Sequence, residues 1–376
     1  MPKTSRGDYN KFLKKAYDAE NKAFKQWDKN NFLKAAELFK DSAEWFEKAK
    51  QAATTIDEKV LTTSNFFVEL SNHYWVSGLK KYSDDEEYDD AAELFKKAIL
   101  NKKKALEADK EDLPFRKGLA GQKEVKRREW RLFQQSTLRE LYAYYFLSVG
   151  LKAEKEKKTK IALENFENAA ASYNQQIKYL KSVKKPYYLV QLYLLKTYLK
   201  IAQCKKELNK VNEAVNDYNR IIIQVEKLDK RHKMRAEAIL ALANAELGEC
   251  YKELDREGEA VNYYWRFLEW AKKVKLDREQ ALEVARCICI ITIINIKLGN
   301  TSEVDKAIKE FKSGKIFGKN IREVQRDPWY NLASLISEYY KTGDEKIFKD
   351  AKVVYEKMID KKDRFITRFF EKTENI

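Results

Sequence analysis

Residues Ala236–Trp270 read AEAILALANAELGECYKELDREGEAVNYYWRFLEW, and this stretch decides the fold. Leu247, Gly248 and Tyr251 fall on one predicted helix. Ala260, Tyr264 and Phe267 fall on the next, across the turn-forming Asp255-Arg256-Glu257-Gly258. Glycine carries no side chain, so Gly248 admits a second helix at close range, and the small Ala260 does the same from the other side. Tyr251, Tyr264 and Phe267 fill the space around that contact. An αα-hairpin of this kind cannot bury its faces alone and must stack on copies of itself.

The copies are present. A small residue followed four positions later by an aromatic recurs on the second helix of each predicted hairpin: Phe32, Ala35, Phe39 and Ser42, then Tyr88, Ala91, Phe95 and Ala98, then Thr159, Ala162, Phe166 and Ala169. Val211, Ala214, Tyr218 and Ile221 give a fourth set, and Glu257, Ala260, Tyr264 and Phe267 a fifth. Val304, Ala307, Phe311 and Gly314 give a sixth, and Phe348, Ala351, Tyr355 and Met358 a seventh. Composition agrees. Only 11 glycines and 4 prolines stand among 376 residues, so helix breakers are rare, and 44% hydrophobic content argues against disorder. The expected fold is all-α, an αα-hairpin superhelix of about fourteen to sixteen helices.

This pattern resembles the tetratricopeptide repeat (TPR). The small markers are spaced about 44 to about 71 residues apart, against about 34 in a standard repeat. Longer helices account for most of the excess, and in this the chain is similar to SNAP-type adaptors. The prolines usual between TPR units are mostly missing. The resemblance implies a concave face lined by the first helix of each hairpin. Aligned on Ala214 and Ala260, that face carries Lys196, Gln203 and Lys206 from one repeat and Glu249 and Lys252 from the next. The lysine and asparagine clamp with which some TPR domains grip chaperone tails is not reproduced, because the fifth repeat offers Ala245 and Glu249 at the key positions.

The segment Lys110–Arg131, KEDLPFRKGLAGQKEVKRREWR, breaks the helical pattern with Pro114, Gly118 and Gly121. It sets an expected division into 1–115 and 116–376. It also carries Arg116, Lys117, Lys123, Lys126, Arg127, Arg128 and Arg131. These cations, with Trp130 to stack on a base, fit a polyanion site. The alternative is a solvated loop whose tryptophan packs inward. The net charge of +16 favours anionic partners or reflects a solubility surplus.

Catalytic signals are few. His73 and His232 are the two histidines, and neither has a nucleophile or metal partner near it in sequence. No phosphate-binding loop, dinucleotide fingerprint, nucleophile elbow or zinc-protease motif occurs. The acidic run Asp84–Glu87 lacks the alternating ligands and central glycine of a calcium loop. No metal or cofactor is expected. Cys204, Cys250, Cys287 and Cys289 form no CxxC and are expected to pack as small apolar groups. Absence of a disulfide pattern and of an apolar leader points to the cytoplasm, and no run is long enough for membrane insertion. The expected function is a non-enzymatic adaptor binding a protein or peptide. Its rival is an RNA- or ribosome-associated factor docking through basic surface, and a third option is an array that changes curvature on binding a small peptide.

Overall fold

The computed structural model describes residues 6–111, 122–313, 325–358 and 363–373. Among them are fifteen helices. The first seven are α1 (Arg6–Trp27), α2 (Phe32–Ala52), α3 (Ile56–Ser83), α4 (Tyr88–Glu111), α5 (Gln122–Lys155), α6 (Thr159–Ser182) and α7 (Tyr188–Glu207). The others are α8 (Val211–Glu226), α9 (Lys230–Glu253), α10 (Glu257–Ala271), α11 (Arg278–Lys297), α12 (Thr301–Ser313), α13 (Pro328–Thr342), α14 (Glu345–Glu356) and α15 (Arg364–Thr373). The fold is all-α and built of repeated αα-hairpins: α1/α2, α3/α4 and α5/α6, then α9/α10, α11/α12 and α13/α14. It divides into two compact units, Met1–Cys204 and Lys205–Ile376. The division expected near residue 115 falls between α4 and α5, inside the first unit. In unit 1 each helix from α1 to α6 packs on the next; in unit 2 the same holds from α8 to α12, and α11 also packs on α13 and α15.

Local chemistry explains the helix ends. Thr55 and Glu58 form a capping box at the start of α3, as do Asp277 and Gln280 at α11. Asp229, Asp327 and Asp344 accept a backbone N–H at the starts of α9, α13 and α14, and Pro328 takes the first position of α13. Pro186 stands two residues before α7, which begins at Tyr188.

One turn closes every hairpin. Asn30, Glu86, Lys157, Asn209, Asp255, Gly299 and Gly343 all have φ between 52° and 69°. At the first six of these the left-handed residue turns the chain so that the next N–H reaches back to a carbonyl of the last helical turn, and at Gly343 the glycine N–H itself bonds Tyr339. Examples are Lys158 to Ala153 at 2.8 Å, Arg256 to Tyr251 at 2.8 Å and Asn300 to Asn295 at 2.9 Å.

Above the turn the helices meet through a glycine and a ring. A Cβ placed on Gly78 would lie 2.7 Å from Phe95 Cε1. On Gly150 it would lie 2.6 Å from Phe166 Cε1, and on Gly248 2.6 Å from Tyr264 Cε1. These rings are the aromatic members of three of the sequence repeats, and Phe95, Phe166 and Tyr264 are fully buried. In the first hairpin the buried Ala23 stands sixteen residues before Phe39, the spacing that separates Gly150 from Phe166. The small markers Ala35, Ala91, Ala162, Ala214, Ala260, Ala307 and Ala351 are all fully buried. Gly314, of the sixth set, lies outside the described residues.

The glycines therefore separate by role. Gly248→Ala should destabilise the chain by about 1–3 kcal/mol, because the added methyl overpacks against Tyr264. Gly258→Ala, where nothing lies within 4 Å, should be neutral or stabilising by about 0.5–1 kcal/mol. Urea unfolding of the two variants checks this, and equal effects would contradict it.

Candidate binding faces on the odd-numbered helices

In unit 1 the odd-numbered helices share a face. Tyr17, Glu20, Phe24 and Trp27 follow one another along α1 at steps of three and four, so they line one side of it. From α3, Asn65 Nδ2 donates to Tyr17 Oη at 3.4 Å, and Trp75 meets Trp27 edge to face with centroids 4.9 Å apart. The rings continue from Tyr82 of α3 to Tyr144 of α5 at 5.8 Å, and from Tyr144 to Tyr193 of α7 at 6.5 Å. Edge and tilted contacts of this range are the favoured aromatic geometries.

Carboxyl groups stand among these rings. Burial raises the Glu20 carboxyl above the ordinary range. Glu69 of α3 is only 1% exposed, and burial, with Glu20 adding to it, holds its carboxyl well above that range. Lys102 and Ser42 pull the other way. Lys102 is itself pushed down to about 8 by burial, and it donates to Gln134 Oε1 at 2.8 Å. Glu140 of α5 is pushed up to about 7 by burial, offset in part by Gln176 Nε2 at 2.8 Å.

Unit 2 is organised differently. Glu249 accepts from Lys252 Nζ at 2.8 Å, from Arg286 Nη2 at 2.7 Å and from the Tyr264 hydroxyl. Arg286 also holds Glu283 at 2.8 Å, and Lys252 reaches Asp363. Burial alone would raise Glu249, but the two cations outweigh it and bring its carboxyl down to about 2. Asp363 precedes α15, whose Phe365, Ile366, Phe369 and Phe370 are buried. Phe370 stacks on Tyr355 of α14 at 5.5 Å, and Arg368 pairs with Asp255 at 3.2 Å. The C-terminal helix α15 thus closes over the ends of α9 and α11.

The candidates read from the sequence meet different fates. Glu249 and Lys252 are 8% and 5% exposed and belong to this buried network, so they are not presented on an open face. Lys206 is half-buried and paired with Glu246. Lys196 is exposed and Gln203 half-buried, both on the unit 1 part of α7. Of the basic candidates, Arg116 and Lys117 lie outside the described residues. The helix α5 starts at Gln122, so Lys123, Lys126, Arg127, Arg128 and Arg131 belong to its first turns rather than to a loop. Arg128 is exposed. Arg131 pairs with Asp109 at 2.7 Å and, with Lys103, Arg139 and Tyr179, lines a cleft of about 230 Å³. Tyr17, Glu20, Phe24 and Glu69 were missed. Their signal was a carboxylate set between two aromatics at helical spacing.

All four cysteines are buried and unbridged. Burial pushes Cys250 up to about 12, and raises Cys287 and Cys289 as well, which keeps the thiols protonated. His73 Nδ1 lies 2.9 Å from the Ala36 carbonyl, and His232 caps α9 with Asp229. Among the described residues no group of His, Cys, Asp or Glu is arranged to hold a metal, and no helix is long and apolar enough to cross a membrane.

No family model matches the chain, and no curated protein matches it. Among solved structures it is similar to a crystal structure of a Rap protein complexed with competence and sporulation factor. The likeness covers 92% of this chain and 87% of that one, at 15% identity and a TM-score of 0.38. Similarity this distant transfers neither a site nor a ligand.

Glu249 sets the pH response of unit 2. Its carboxyl lies below its ordinary value of 4.5 in the folded chain, so its contribution is present above pH 4.5 and lost as pH falls toward 2. Glu249→Gln should lower stability by roughly 3 kcal/mol at pH 7, leaving buried cations short of a partner. The gap from the parent chain should close as pH falls through that window. Urea unfolding at pH 7 and pH 3 measures both; a gap independent of pH would contradict the assignment.

Proposed function

We propose that the chain is a non-enzymatic, TPR-like adaptor that binds a partner protein or peptide, and that unit 1 does so on its odd-helix face. The observation that carries this is the run of rings from α1 to α7, with Tyr17 38% and Phe24 41% exposed at one end. Large aromatics left partly exposed beside packed rings are the usual material of binding hot spots. The resemblance of the repeats to TPR hairpins, whose first helices line the binding groove, supports the same face. Four unbridged, buried cysteines support a cytoplasmic site of action.

In unit 2 the corresponding residues Glu249 and Lys252 are taken up by Arg286 and Asp363. Partner binding is therefore assigned to unit 1, with Lys196 as a further contact on α7.

A photo-crosslinking amino acid placed at Tyr17 or Phe24, and separately at the exposed Leu33 of α2 or Ile161 of α6, tests the assignment in the source cells. A defined partner protein should be captured from positions 17 and 24 and not from 33 or 161. Capture only from 33 or 161, or from none, would refute it.

A further inference from the structure

The face of α1 has a chemistry at odds with the rest of a chain whose net charge is +16. Glu20 is half-buried between two exposed rings, Tyr17 three residues before it and Phe24 four residues after it, all on one side of the helix. Glu69 of α3 lies beneath, almost wholly buried, and its Oε2 has no hydrogen-bond partner. A buried carboxyl oxygen without a protein partner is rare in folded chains. Glu20 raises the Glu69 carboxyl, and Glu20 and Glu69 both raise the Tyr17 hydroxyl, so the three groups are neighbours. The cation nearest in effect to Glu69 is Lys102, and its ammonium is turned to Gln134 at 2.8 Å. The second carboxyl group, Glu20, makes no ion pair among the described residues. Asn65, one helical turn before Glu69, holds the Tyr17 hydroxyl at 3.4 Å and so fixes the first ring.

We infer that Tyr17, Glu20 and Phe24, backed by Glu69, form a binding site for a cationic side chain, an arginine or lysine of a basic partner segment. Ring faces attract cations, and a carboxylate between two rings adds a counter-ion where water is partly excluded. The rings would hold the apolar stem or guanidinium plane of the ligand, and Glu20 would accept its hydrogen bonds. This inference rests on the odd-helix face of unit 1 being the partner face, and it names the chemistry of the partner.

The test is fluorescence anisotropy of the full chain with fluorescein-labelled octa-arginine, at about 0.15 M salt, where surface charges are screened beyond about 8 Å. Octa-arginine should bind in spite of the positive net charge. Glu20→Gln should weaken it roughly tenfold, the factor that one lost charge-assisted contact supplies. Tyr17→Leu, which keeps apolar volume but removes the ring, should weaken it also. Glu37→Gln, on exposed α2 surface, should change nothing. Circular dichroism of each variant establishes that the helices persist. No binding, or equal losses for Glu20→Gln and Glu37→Gln, would overturn the inference. Should a partner be captured from positions 17 and 24 while octa-arginine neither binds nor competes with it, the adaptor function stands and the cationic site falls. Should octa-arginine bind through Glu20 with no partner captured there, the site stands and the adaptor function falls.

Discussion

A helix glycine lying under an aromatic ring of the next helix recurs at Gly78–Phe95, Gly150–Phe166 and Gly248–Tyr264, and the close approach within those hairpins follows from it. The ring occupies the space that a Cβ would fill, so the second helix sits as near as backbone and ring allow. The left-handed residue at each hairpin turn sets the crossing, and the glycine contact sets the distance. Together they fix which sides of α1, α3 and α5 face the second helices. Rings at the edge of that contact, Tyr17 on Phe46 at 5.3 Å and Phe24 on Phe39 at 5.1 Å, keep part of their surface exposed.

The hairpins were legible in the sequence because their signals are local. Small and aromatic residues four apart on one helix need no knowledge of the rest of the chain, and all seven small markers are buried as read. Gly248 could be read because Leu247 and Tyr251 flank it with apolar bulk. Gly78 and Gly150 were not read, though each stands sixteen or seventeen residues before a repeat aromatic, a spacing that the Gly248–Tyr264 pair already displayed. The long helix α5 was also read as starting late, because Pro114, Gly118 and Gly121 drew the loop too far toward Arg131.

The candidate site was less legible, for a physical reason. Helical spacing says which residues share a side but not what covers that side. Glu249 and Lys252 share a side, yet Asp363, more than a hundred residues on, closes over Lys252, and Arg286 takes Glu249. Their charges serve the interior of unit 2. Tyr17, Glu20 and Phe24 carry the same helical spacing, and there Phe46 and Phe39 of α2 cover the two rings only in part, leaving them 38% and 41% exposed. Exposure is decided by contacts distant in sequence, so one face became structural and the other remained open.

The glycine contact is tested most directly by a double-mutant cycle at Gly78 and Phe95, read by urea unfolding of the full chain. If the ring lies on the glycine, Gly78→Ala is costly with Phe95 in place and much less so beside Phe95→Leu, which withdraws the ring. A coupling of about 1–3 kcal/mol is expected between the two positions. Simple additivity, within about 0.5 kcal/mol, would contradict it.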